Sequence, residues 1–159
     1  MLVIPAAPAN RRHIYDILIH SELFGKSDAD TVDEMFEQAM TKPGPDAYHF
    51  IGCWHDNVML GFACYGREAM TQHTWDLFWV CTLPQARGKG VGRALLSFAI
   101  TQAAAAGGRL MVIYTSSTSA YAPAHRLYES QGFARVATVP NYYDDDDDLL
   151  IYGKSLSSQ

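Results

Sequence analysis

The sequence predicts an α+β fold on a mixed sheet, with residues 1–159 as one domain. Three observations carry this reading. Strand-like and helix-like segments alternate in the order β-α-α-β-β-β-α-β-α-β-β. The short turn His55-Asp56-Asn57 joins two apolar strands, which makes that pair an antiparallel hairpin. With 159 residues, 48% hydrophobic and 18% charged, the chain has enough apolar material for its own core.

The elements follow in order. Leu2-Val3-Ile4 predicts a short strand. From Pro8 to about Ser21, Ile14, Ile17 and Leu18 fall at helical spacing. A second helix carries Val32, Met35, Phe36, Ala39 and Met40 as one stripe, with Asp28 or Asp30 as its cap. Thr41-Lys42-Pro43-Gly44-Pro45 stops it. Tyr48 to Trp54, Val58 to Tyr65 and Thr74 to Leu83 are three strands. Val91, Ala94, Leu95, Phe98 and Ala99 mark the next helix, which ends at Gly107-Gly108. Leu110 to Tyr114 is a continuous apolar run of buried-strand type. A helix from about Ala122 to Gln131 closes at Gly132. Phe133 to Val139 and Leu149 to Tyr152 form two last strands around an acidic loop.

A net charge of -5 argues against a nucleic-acid partner, since a phosphate backbone needs a basic face. No apolar run approaches bilayer length, so no membrane partner is expected. The N-terminal MLVIPAAPANRR puts its charges after a short apolar patch, the reverse of a secretory signal, and a cytoplasmic location is expected. Cys53, Cys64 and Cys81 are odd in number and lie in apolar strands, as buried thiols of a reducing compartment do. His49, His55, His73 and His125 show no metal-ligand spacing, and no metal is expected.

The most informative stretch is Pro84-Gln85-Ala86-Arg87-Gly88-Lys89-Gly90-Val91-Gly92-Arg93. The first N–H groups of a helix have no partner inside it, and the helix dipole adds positive potential there. Gly88, Gly90 and Gly92 leave the main chain bare at that point, and Arg87, Lys89 and Arg93 surround it with positive charge. This is an anion cradle. The ordinary alternative is a tight strand-to-helix turn. A nucleotide-hydrolase P-loop needs Lys-Ser/Thr after its last glycine, but Arg93-Ala94 stands there. The spacing also fails the dinucleotide G-x-G-x-x-G pattern. A pyrophosphate ligand without magnesium remains.

Gln85-Ala86-Arg87-Gly88-Lys89-Gly90 resembles the Q/R-x-x-G-x-G/A acyl-CoA signature of the GNAT superfamily of N-acyltransferases. Ala124-His125-Arg126-Leu127-Tyr128-Glu129-Ser130-Gln131-Gly132-Phe133 resembles that family's A-x-x-L-Y-x-x-x-G-F element, at the usual distance downstream. The two motifs span roughly Thr74 to Val139. The resemblance implies a mixed, mostly antiparallel sheet of six to seven strands, flanked by about four helices and splayed between strands four and five. It implies acetyl-CoA as co-substrate, a small-molecule amine as acceptor, and direct attack in a ternary complex. A non-catalytic acyl-CoA-binding module is the alternative. Homodimers are common in the family, and nothing in these residues decides for or against one.

The resemblance also assigns roles. Val80, Cys81 and Thr82 would present strand backbone to pantetheine, and an N–H there would serve the oxyanion. Backbone from Arg87 through Gly88, Lys89, Gly90 and Val91 to Gly92, with Arg93, would hold the pyrophosphate. Tyr128 stands at the general-acid tyrosine. Asp76, four positions before Val80, matches a glutamate base of some histone-acetylating members. By strand parity it shares a face with Phe78 and Val80, and a strand-end aspartate in solvent is its ordinary reading. A water chain is the alternative base. Some N-terminal-acetylating members carry a glutamate and an asparagine where Ser116 and Tyr121 stand here, which speaks against that machinery.

Tyr121 would line the substrate mouth. Tyr142, Tyr143 and part of Asp144 to Asp148 would overhang the acceptor site and attract a cationic amine. A flexible turn is the ordinary reading of that run. Trp79, with Tyr65 and Trp75, would form an aromatic acceptor pocket, core packing being the commoner fate.

Overall fold

Two apolar cores lie on opposite faces of one seven-stranded sheet. The computed structural model describes residues 1–156. Its elements are β1 (Leu2–Pro5), α1 (Arg11–His20), α2 (Lys26–Thr41), β2 (His49–His55), β3 (Val58–Arg67), β4 (Thr74–Thr82), α3 (Val91–Ala105), β5 (Leu110–Ser116), α4 (Ala122–Ser130), β6 (Ala134–Asp144) and β7 (Asp147–Ser155). The strand order is β1-β2-β3-β4-β5-β7-β6. Only β4 and β5 pair in parallel; every other neighbouring pair is antiparallel. The element order and the mixed sheet are those expected from the sequence.

Local chemistry explains most boundaries. Asp56 and Asn57 both hold positive φ, 48° and 63°, as a two-residue hairpin turn requires. The α2 stripe buries Val32, Phe36 and Ala39 against α1 and the sheet. The cap of α2 differs from the expectation. Gly25 is the N-cap, and Asp28 reaches back from the first turn to its N–H at 2.9 Å. Asp30 pairs instead with Lys26 at 3.0 Å. On the opposite face α3 packs Leu95, Leu96 and Ala99, all fully buried, against Met111 and Tyr152 of the sheet.

Two features shape the centre of the sheet. β4 and β5 pair only at Thr74↔Leu110, Trp75↔Met111 and Asp76↔Val112, although β4 runs on to Thr82 and β5 to Ser116. Beyond Asp76 the strands part. In the β3–β4 ladder Cys64 faces Trp79 and Tyr65 faces Leu77, so Phe78 is a bulge. An extra residue reverses strand parity and sharpens the local twist. Asp76 therefore does not share a face with Val80 as simple alternation predicts. Val80 packs on the α3 side, while Phe78, Trp79 and Cys81 pack on the α1–α2 side.

The last two strands are longer than the sequence suggested. The acidic run lies within the hairpin, which turns at Asp145 and Asp146. Asn141 and Asp146 take positive φ, and the Asn141 side chain accepts the Asp146 N–H at 3.0 Å. Such local side-chain bonds let an acidic sequence hold a tight hairpin. β6 is an edge strand exposed along its whole length. No helix among the described residues is long and apolar enough to cross a membrane.

Leu95→Ala would remove a fully buried side chain between α3 and the sheet. It is expected to lower the unfolding free energy by about 2–5 kcal/mol, read from urea denaturation followed by circular dichroism.

Candidate active site

Where β4 and β5 separate, a cavity of about 470 Å³ opens at the N-terminus of α3. Its walls come from four places: Val80, Cys81 and Thr82 of β4, the turn and first residues of α3, the start of α4, and the loop between α1 and α2. Of the expected ligand-holding residues, Val80, Cys81, Thr82, Arg87, Gly88, Gly90, Val91, Gly92 and Arg93 line it. Lys89 lies in the same turn, exposed and outside the lining.

The turn is built from its glycines. Gly90 is the N-cap of α3 at φ 83°, a left-handed conformation that a side chain would strain. Gly92 sits where a Cβ would come within 3.0 Å of Leu127, so it sets how closely α3 approaches α4. The Arg87 and Lys89 amides are taken up by the carbonyls of Pro84 and Ala86, at 3.2 and 3.4 Å. The amides of Gly88, Gly90, Val91, Gly92 and Arg93 make no backbone hydrogen bond among the described residues. Those five are the donors free for an anion.

Side-chain charge agrees. Arg87, Arg93 and Arg126 line the cavity and no carboxylate of the described residues does, in a chain of net charge -5. Arg87 is also structural. Its guanidinium donates to the Ser21 carbonyl and lies 3.8 Å from the Glu22 carboxylate, tying the α1–α2 loop to the cradle. Lys89 and Arg93 have no ion-pair partner among the described residues.

The other expected residues, Tyr128, Asp76, Trp79, Tyr121 and Tyr143, lie outside the lining. Tyr128 is buried, its ring edge-on to Phe133 at 6.3 Å and tilted against Tyr152 at 5.6 Å. Ala124 and Leu127, beside it on α4, reach the lining. Burial holds the Tyr128 phenol protonated far above its ordinary range, with Tyr121 and Tyr152 adding to the effect. Asp76 is 5% exposed at the last β4–β5 pair. Burial first, then a hydrogen bond to Glu68 and the charge of Glu68, push its carboxyl well above the usual carboxylate range.

Trp79 and Tyr121 meet around one ring of the α1–α2 loop, and Tyr143 is exposed on β6. Phe24, from the α1–α2 loop, packs edge-on to Trp79 at 5.3 Å and to Tyr121 at 6.3 Å. Burial raises the Tyr121 phenol, helped by Asp28 and Asp147; burial raises Tyr143 too, with Tyr142, Asp147 and Tyr121 contributing. Tyr65 and Trp75 do not join them. They pack with His49 in the α3-side core, where the His49 and Tyr65 rings stack at 5.2 Å. Trp79 is therefore not grouped with Tyr65 and Trp75; its aromatic neighbour is Phe24, which also meets Tyr121.

The acidic run is divided in its roles. Asp147 accepts from the Ser116 hydroxyl at 2.5 Å, and the Asp148 carboxylate accepts the Asn141 N–H at 2.9 Å. Asp144 accepts the Asp145 N–H at 2.8 Å. Only Asp145 and Asp146 direct their carboxylates outward without such a bond among the described residues. His125 is half-buried, bonded to the Ser116 carbonyl at 2.8 Å and stacked on Tyr152, so it joins α4 to the end of β5 rather than lying free on the surface. Among the described residues no group of three or more His, Cys, Asp or Glu is placed to hold a metal ion.

A profile of the Acetyltransferase (GNAT) family matches residues 11–133. The chain belongs to the GNAT acetyltransferase family. A GNAT-family protein from Desulfovibrio desulfuricans has 30% identity and a TM-score of 0.93, over 98% of this chain and 99% of its own. A Salmonella typhimurium protein solved with its cofactor acetyl-CoA has 25% identity and a TM-score of 0.79, over 100% and 95%. The aminoglycoside 6'-N-acetyltransferase from Enterococcus faecium shares the fold at 18% identity and a TM-score of 0.77, over 100% and 99%. No curated protein sequence matches the chain.

The GNAT sequence motifs account for the cradle and α4. Sequence reasoning missed Ser21, Leu23, Phe24 and Arg126 in the walls, and Glu68 beside Asp76. Arg126 was legible as a cation inside the second motif; the loop residues carry no motif. Gly90→Glu would place a carboxylate in the cradle on a strained backbone. It is expected to abolish coenzyme A binding in calorimetric titration while the far-ultraviolet circular dichroism stays unchanged.

Proposed function

We propose that the chain transfers an acetyl group from acetyl-CoA to a primary amine, a small molecule rather than a protein, by direct attack in a ternary complex. The observation that carries this is the arginine-lined, carboxylate-free cavity on five free amides, opening into the gap between β4 and β5. A diphosphate suits the amides and arginines, and a peptide-like arm suits the strand edge that β4 leaves unpaired beyond Asp76. The residues present therefore fit the co-substrate.

In this reading the pantetheine arm runs along Val80, Cys81 and Thr82. Asp76, once ionised, takes a proton from the acceptor ammonium. The amine lone pair then forms the C–N bond at the thioester carbonyl, whose oxygen is stabilised by a β4 amide. The C–S bond breaks, its electron pair stays on sulfur, and the Tyr128 phenol protonates the thiolate. The second proton, shed by the new amide nitrogen, restores the phenol, while the proton on Asp76 passes to solvent. Phe24, Trp79, Tyr121 and Tyr143 shape the acceptor mouth, and Asp145 and Asp146 draw a cation toward it. The three buried free thiols suit a cytoplasmic setting. We take residues 1–159 as one acetyltransferase domain, free to act alone or as a homodimer.

The test is thiol release from acetyl-CoA over a panel of polyamines, aminoglycosides, amino acids and peptides. Saturable release with a small amine is expected; tight binding without release on every amine would make the chain an acyl-CoA sensor. Tyr128→Phe is expected to lower kcat by about 100-fold with the Kd for acetyl-CoA unchanged. Equal loss of both would assign the tyrosine to packing. Asp145→Asn with Asp146→Asn is expected to raise KM for cationic acceptors at unchanged kcat, and the difference should fade in high salt.

A further inference from the structure

We propose that Glu68 and Asp76 form a carboxyl pair that holds one proton between them and acts together as the acceptor base. This rests on the N-acetyltransferase reading and adds a residue to it. Asp76 is held at the apex where β4 and β5 part, in a pocket with almost no access to water. Glu68 leaves the end of β3 and is fixed over it by the main chain. Its N–H donates to the Thr74 carbonyl at 2.9 Å, and its own carbonyl accepts from the Thr71 hydroxyl at 2.8 Å. The β3–β4 register sets Gly66 opposite Asp76, and the Glu68–Thr74 bond carries it on. Glu68 and Asp76 are thus diagonal neighbours on one face of the β3–β4 pair, and glycine at 66 leaves no side chain opposite Asp76.

The charge of Glu68 makes ionisation of the buried Asp76 less favourable, so Asp76 holds its proton to higher pH than a lone carboxyl does. The other groups around Asp76 do not relieve this. Cys64 from β3 is buried and neutral, its thiol pushed up by burial and by Asp76 itself. Tyr114 from β5 is likewise raised, by burial first and then by Asp76, Glu68 and Tyr142. The cation next in sequence, Arg67, is turned away to Asp46 at 3.7 Å and to the Gln72 carbonyl at 3.1 Å. A positively charged acceptor is the natural counter-ion for the pair.

The proton count is simple. With one shared proton the pair carries one negative charge. Loss of that proton to solvent gives the doubly ionised pair, a stronger base than a lone carboxylate because of the mutual repulsion. An acceptor ammonium returns one proton to the pair and becomes the neutral amine that attacks. Glu68 acts through Asp76 and is a positioning residue.

The experiment is the pH profile of kcat/KM for the best amine in wild type, Glu68→Gln and Asp76→Asn, with circular dichroism as a check on folding. Glu68→Gln removes the repelling charge, so the acidic limb should move to lower pH by about one unit. Glu68→Ala should move it in the same direction. Asp76→Asn should lose the limb and about 100-fold in kcat/KM. A limb that stays in place in both Glu68 variants overturns the pair while leaving the acetyltransferase intact. A wild-type profile in Asp76→Asn removes Asp76 as base, and the pair with it. Failure of every amine to release thiol would sink the acetyltransferase reading instead. The pair is still tested then by carbon-13 titration of the Asp76 carboxyl, which should ionise at lower pH in Glu68→Gln than in wild type.

Discussion

The structure depends on one interrupted hydrogen-bond ladder. β4 and β5 pair over three residues and then part, although both strands continue. Backbone N–H and C=O groups inside a protein need partners, so a gap within a sheet is costly unless something else fills it. The bulge at Phe78 lies just past the last pair and turns β4 away from β5. The arrangement of the rest follows from this. α3 starts where β4 ends, so the unpaired amides of its first turn point at the mouth of the gap. α4 starts near the end of β5 and closes the other wall. The α1–α2 loop lies across the opening, tied down by Arg87.

Charge is sorted around this gap. In an acidic chain, the cavity is lined by three arginines, two beside the start of α3 and one on α4, and by no carboxylate of the described residues. Glu22 lies next to Arg87, outside the lining. Asp28, Asp147, Glu68 and Asp76 lie beyond the lining, and their influence reaches Tyr121, Tyr143 and Tyr114. An anion and a cation approaching from opposite sides would each meet a complementary field. Burial then sets the protonation of the two central groups. It keeps the Tyr128 phenol a proton donor and makes the Asp76 carboxyl hold its proton more tightly.

What the sequence disclosed was local. The glycine-rich turn needs bare backbone at fixed positions, and the α4 motif needs a tyrosine one turn after an alanine; both stand in consecutive residues. Element order was legible for the same reason, since periodicity is a short-range signal. What stayed hidden depends on pairing. The Phe78 bulge is a property of the β3–β4 register, and it overturned the face assigned to Val80 relative to Asp76. Phe24 and Glu68 reach the site from loops with no motif of their own. The aspartate run resembled a loop by composition. It is a hairpin because Asn141, Asp144 and Asp148 capture nearby amides.

β6, the fully exposed rim of the sheet, has a consequence of a different kind. A long bare margin invites another polypeptide to add itself as a further strand, the first step toward aggregation. Here the ladder to β7 slips twice, between Arg135 and Ala137 and between Val139 and Asp144, and Pro140 lies inside the second slip. A kinked margin with a missing donor offers no straight template for an incoming chain. The protein can therefore keep one ladder interrupted at its centre without its outer boundary recruiting strands indiscriminately.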